Sequence, residues 1–136
     1  MLKWLAIILL VAGIGYYALF NSADLGVNRR AAIIGENVFS VQIADSIGER
    51  NKGLSGRSSM ENDNGLLFIF NKTSNHGFWM KDMKFPIDII WINNNKVVYV
   101  LSNISPDSYP KTFTPPLPAN KVLEKNLASK LNDKAA

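Results

Sequence analysis

Two runs rich in β-branched residues, 87–92 and 96–101, flank Asn93-Asn94-Asn95. The pattern predicts an antiparallel hairpin with a loop of about three residues, because asparagine tolerates the left-handed backbone of tight turns. Other short runs repeat the theme. In residues 38–44, Phe39, Val41 and Ile43 alternate with Ser40 and Gln42, which predicts a strand with one wet face. Leu66-Leu67-Phe68-Ile69-Phe70 is apolar throughout and predicts a strand buried on both faces; Phe78-Trp79-Met80 is a shorter piece. Ser46-Ile47-Gly48-Glu49 spells a capping box and predicts a short helix over 47–52, stopped by Gly53. Val122, Leu123, Leu127 and Leu131 recur at helical spacing and predict a closing amphipathic helix, while five prolines make 105–118 an irregular extended connection. Short strands, two short helices and no strand–helix–strand rhythm predict a mainly β domain, a small compact sandwich or barrel.

The N-terminus is different. From Trp4 to Phe20 there is no charged residue over 17 positions, ~25 Å as a helix against a bilayer core of ~30 Å. Trp4 lies at one end and Tyr16, Tyr17 and Phe20 near the other, the placement of interfacial aromatic belts, and Lys3 can snorkel to the headgroups. A cleaved secretory signal is the alternative, but Asn21-Ser22-Ala23 lacks the small apolar residue that cleavage wants. The reading is a transmembrane anchor over 1–23, a tether over 24–36 and a mainly β domain over 37–136. That domain is expected on the extracytoplasmic side of a membrane, or secreted if the segment is cut. Lys3 favours a cytoplasmic N-terminus, and Arg29-Arg30 weigh against it.

Composition closes several chemical routes. There is no cysteine and one histidine, so thiol nucleophiles, thiolate metal sites and any pair of imidazoles are excluded; no metal and no cofactor are expected. Fifteen basic and eleven acidic residues give a net charge of +4, with no basic run longer than Arg29-Arg30. A nucleic-acid binder would cluster its cations, so none is expected as a partner. His76 sits in a loop sequence, Thr73-Ser74-Asn75-His76-Gly77, and reads as a solvated side chain; Tyr109, in the proline-rich stretch, reads as a residue that caps a cleft or packs.

Four segments stand in a distinctive order: residues 43–57 (Ile-Ala-Asp-Ser-Ile-Gly-Glu-Arg-Asn-Lys-Gly-Leu-Ser-Gly-Arg), 63–70 (Asp-Asn-Gly-Leu-Leu-Phe-Ile-Phe), 78–83 (Phe-Trp-Met-Lys-Asp-Met) and 86–92 (Pro-Ile-Asp-Ile-Ile-Trp-Ile). Together they resemble the prokaryotic family known as domain of unknown function 192, over about residues 37–124. The resemblance implies a compact, mainly β sandwich or barrel, often behind a secretion signal or anchor, and implies no activity. Ser55 and Met83 depart from the family's usual Met and Thr. Val122-Leu123-Glu124 fits a later family segment, but residues 125–136 do not supply the family's final Gly-Asp-led strand, which predicts a truncated or diverged end and an exposed sheet edge.

The candidate ligand-binding residues are Asp45, Arg50, Arg57, Trp79 and Asp88. Asp45 stands between a strand and a helix start, where an acid also serves the helix dipole. Arg50 and Arg57 flank Gly53 and Gly56, and two guanidinium forks there suit a carboxylate or phosphate, or else an internal acid that locks the loop. Trp79 suits a stacked ring or a core position, and Lys81 and Asp82 beside it read as a surface pair. Asp88 lies inside an apolar strand, where a carboxylate must be hydrogen-bonded or border a cleft; it is expected near an arginine of the 50–57 loop or a backbone N–H. These residues suggest a module that binds a small anionic or carbohydrate-like ligand. The alternatives are an accessory domain that pairs with a protein partner through an open edge, the partner being unspecified, and a hydrolase built on Asp45, Asp88 or Glu49.

Overall fold

The computed structural model describes residues 18–24 and 29–126. Its strands are β1 (Ala18–Asp24), β2 (Arg29–Ile34), β3 (Asn37–Ala44), β4 (Asn64–Ser74), β5 (Phe78–Trp79), β6 (Ile87–Asn93), β7 (Lys96–Ile104), β8 (Thr112–Phe113) and β9 (Ala119–Lys125). One helix, α1 (Ile47–Lys52), and a 3-10 turn at Pro106–Ser108 complete the described elements. Seven strands form one sheet in the order β1-β2-β3-β4-β9-β6-β7, and β5 pairs with β8 in a small ribbon. The mainly β expectation holds.

Local chemistry explains the elements. The β6–β7 loop is two residues long rather than three: Asn93 pairs with Lys96, and Asn94 and Asn95 both take positive φ (48° and 63°), as a tight hairpin of matching twist requires. In α1, the Ser46 hydroxyl accepts from the Glu49 N–H at 3.2 Å while the Glu49 carboxylate accepts from the Ser46 N–H at 3.1 Å. Those bonds hold the exposed Glu49 carboxyl below its ordinary pKa. Gly53 ends the helix at φ 51°, its N–H donating to the Glu49 carbonyl.

Four expectations are corrected. The tether is not one: its residues 29–34 are β2, whose Ala32 and Ile34 alternate into the core. Ala18, Leu19 and Phe20 belong to β1, antiparallel to β2, and not to the end of an apolar helix. The remaining uncharged residues, 4–17, lie outside the described residues, as does everything from 127 on, including the place expected for a final strand. Among the described residues no helix is long and apolar enough to cross a membrane. The closing helix is replaced, as far as residue 125, by β9, which lies between β4 and β6. Adjacent Val122 and Leu123 suit a strand buried on both faces as well as they suit a helix, and each enters a different core cluster. Finally, β3 and β4 are parallel, with Ser40 opposite Asn64 and Ala44 opposite Phe68, so one strand–helix–strand crossover exists after all.

That crossover decides where the core sits. It carries α1 and the following loop across one sheet face, where Leu54 and Met60 pack with Leu66, Phe68, Ile89 and Trp91. The other face holds Phe39, Val41, Leu67, Ile90, Ile92 and Leu123. β6 is therefore buried on both sides from Ile87 to Ile92, and each isoleucine there contributes roughly 1.5–3 kcal/mol. Among the described residues the seven strands form an open sheet and not a closed barrel, since β1 and β7 at its ends do not pair.

Candidate functional site

A cleft of about 490 Å³ opens on the face crossed by α1. One wall is the end of α1 and its loop, including Arg50, Lys52 and Ser55; the other is β5 and its turn, with Trp79, Lys81 and Asp82. Two hydrogen bonds clamp the walls together: Gly56 N–H to the Asp82 carbonyl (2.9 Å) and the Ser55 hydroxyl to the Lys81 carbonyl (2.9 Å). Asp82 itself takes φ 56°, and Gly56 φ 80°. Phe68, Phe70 and Glu124 also line the space.

Trp79 is half exposed and meets the Tyr109 ring edge-on at 5.5 Å, with the Lys81 ammonium 5.7 Å from its centroid. It is a surface aromatic, not a core one. Arg50 reaches inward: its Nη1 donates to the carbonyls of Asp45 and Ile69 (the latter at 3.1 Å), and its guanidinium lies over Phe70 at 5.4 Å. It thus pins the start of α1 to β4. Asp45 is exposed; its N–H donates to the Glu49 carboxylate at 3.2 Å and its carbonyl accepts from Arg50. Arg57 donates from Nη2 to the Gln42 amide oxygen at 2.8 Å. His76 stacks on Phe70 at 3.6 Å and places Nε2 2.8 Å from the Lys72 carbonyl. Since a carbonyl only accepts, that nitrogen carries the hydrogen.

Asp88 is elsewhere. It faces the opposite side of the sheet, 1% exposed, with Oδ2 3.1 Å from the Nζ of Lys125, which is equally buried. Its Oδ1 accepts from the Asn103 N–H at 2.7 Å. The expected arginine partner is thus replaced by a lysine one strand away, whereas the expected backbone N–H is present. The reason is register: Asp88 lies directly opposite Lys125, and Ser102-Asn103 bulge out of β7 between the pairs Ile87–Ile104 and Ile89–Leu101. The carboxylate takes up an N–H that the bulge leaves off the ladder.

Of the five sequence candidates, Arg50 and Trp79 line the cleft; Asp45, Arg57 and Asp88 do not. Glu124 was missed. It is 5% exposed and stands between Leu66 of β4 and Ile89 of β6 in the row of side chains facing the cleft side. Burial pushes its carboxyl up to about 8, against a smaller downward pull from the Arg57 charge. The available signal was an acid following Val122-Leu123 in a segment that is strand and not helix. Among the described residues no group of three His, Asp or Glu is placed to hold a metal ion.

The family model of DUF192, described as "Uncharacterized ACR", matches residues 30–130. Two solved structures share the fold with TM-scores of 0.63 at 25% identity. One, from Sinorhizobium meliloti 1021, is described as a "putative transcription regulator" and is matched over 85% of this chain and 83% of its own. The other, a protein of unknown function from Novosphingobium aromaticivorans DSM 12444, is matched over 85% of this chain and 76% of its own. No curated protein matches the chain.

Proposed function

We propose, for a chain that belongs to the DUF192 family and whose family description names no activity, that the cleft binds a small anionic or carbohydrate-like ligand. The observation that carries this is the pairing of a half-exposed Trp79 with Lys52, Lys81 and Arg50 around one concave space. An exposed indole offers a flat apolar face for a ring, and the cations supply charge-assisted hydrogen bonds to an anion. The test is a titration of the ¹⁵N-labelled protein with neutral sugars, uronic acids and small carboxylates. Shifts should concentrate on residues 50–55 and 77–83. Trp79→Ala should weaken binding on the order of tenfold, or ~1.4 kcal/mol. Shifts scattered over the sheet, or none, would defeat the reading.

The uncharged N-terminal residues support a second part of the proposal: the domain is held at a membrane and works on its outer side. After high-salt washing the protein should stay in the membrane fraction with its N-terminal mass intact. A soluble form that begins near Asp24 would instead mark a cleaved signal.

A further inference from the structure

An acid buried under a rim of cations has two uses. It can be a structural counter-charge, or it can meet something that enters the cleft. The first use demands a partner. Among the described residues no hydrogen-bond donor or ion pair engages the Glu124 carboxyl; Arg57, the cation whose field reaches it, gives its Nη2 to Gln42. The strands on either side present Leu66 and Ile89, both apolar. The buried Asp88–Lys125 pair lies on the other face of the sheet. What remains in front of Glu124 is the cleft, with Arg50 and Lys52 from α1 and Lys81 and Asp82 from the turn after β5.

Resting on the cleft reading above, we propose that Glu124 is its recognition group: the carboxyl donates its O–H to a carboxylate oxygen of an acidic ligand, whose charge the rim cations meet. The ligand class follows from the donor. A neutral carboxyl aimed into a site needs an acceptor, and an anionic oxygen is the acceptor that forms the shorter, stronger bond. The excess of rim cations over Asp82 selects the same charge. The carboxyl remains protonated at neutral pH, since burial pushes it up to about 8. Above that pH the ionised Glu124 repels the ligand it had bound. The cleft thus takes acidic ligands, such as a uronic acid, at neutral pH and releases them in alkali.

The experiment is calorimetric titration of the full chain in nonionic detergent with glucuronate, acetate and glucose between pH 6 and 9, on the parent protein and on Glu124→Gln. Glucuronate and glucose share a ring and differ in the carboxylate. Parent affinity for glucuronate should be about tenfold lower at pH 9 than at pH 7, following the protonated fraction. Glu124→Gln, whose amide donates at every pH, should bind at pH 7 and keep its affinity at pH 9. A decline of the same size in the variant would assign the pH dependence to the rim and overturn the role of Glu124. A flat profile in the parent would overturn it equally. Either outcome leaves the cleft reading standing. Glucose bound as tightly as glucuronate would overturn the acidic class. Binding of none of the three at any pH would overturn the cleft reading and the role of Glu124 together.

Discussion

Replacing Asp88 by Asn removes one charge from a pair that is 1% exposed on both sides and leaves the rest of the local geometry in place. The amide oxygen can still accept from the Asn103 N–H, so the bulge in β7 keeps its cap. What is lost is the counter-charge 3.1 Å from the Lys125 ammonium, which stays buried with Phe39 beneath it at 5.4 Å. Breaking a buried pair from one side costs about 3–5 kcal/mol, because the remaining ion has no water to return to. For a domain near 100 residues this lowers the melting temperature by roughly 15–25 °C. Asp88→Ala should cost about 1 kcal/mol more, since the Asn103 N–H is then also orphaned. The decisive variant is Asp88→Leu with Lys125→Met, in which no charge is buried. It should recover most of the loss. Thermal and urea denaturation followed by circular dichroism would measure all three. An Asp88→Asn protein within ~1 kcal/mol of the parent, or a double variant no better than the single, would refute the argument that this pair locks the centre of the sheet.

Glu124→Gln provides the opposite case, a stabilising change. The folded carboxyl holds its proton up to about pH 8 while the unfolded one loses it near 4.5, so parent stability falls as pH rises through that window. The advantage of the Gln variant should therefore be absent below pH 4.5 and grow by roughly 1.4 kcal/mol per pH unit until about pH 8, as read by urea midpoints. Gly65→Ala should cost roughly 1–3 kcal/mol in the same assay, because its methyl would lie 2.8 Å from a Leu123 methyl and 2.9 Å from the Glu124 carbonyl. Ser46→Ala removes the N-cap acceptor of α1 and should cost ~1 kcal/mol.

Local signals were legible. The capping box placed α1 to the residue, the asparagine run placed the hairpin, and alternation placed β3 to within a residue. What the sequence hid was long-range. Nothing in residues 37–74 distinguishes a parallel from an antiparallel β3–β4 pair, because the difference lies in where the chain returns. β9 was misread because a strand buried on both faces loses the alternation that marks strands. The same error hid Glu124 and Lys125: on a helix they would be surface charges, and only the register of β9 turns one into the cleft and the other toward Asp88. Arg50 and Trp79 were found as residues, but their roles depend on β4 and on the turn after β5.

The placement of β9 also dictates an order of events. This interior strand, which joins β4 to β6, is the last of the described strands to leave the ribosome, more than fifty residues after β4 begins. Until it arrives, β4 and β6 each present an unpaired edge, and the two halves of the sheet have no common strand. Assembly must close a long loop before its central contacts form, which is slow and exposes edges meanwhile. A chain that stops short of Ala119 is then not a slightly smaller domain but two sheet fragments with facing open edges. Each could accept a strand from another chain, and a newly made copy of this protein is at greatest risk of aggregation just before its last strand emerges.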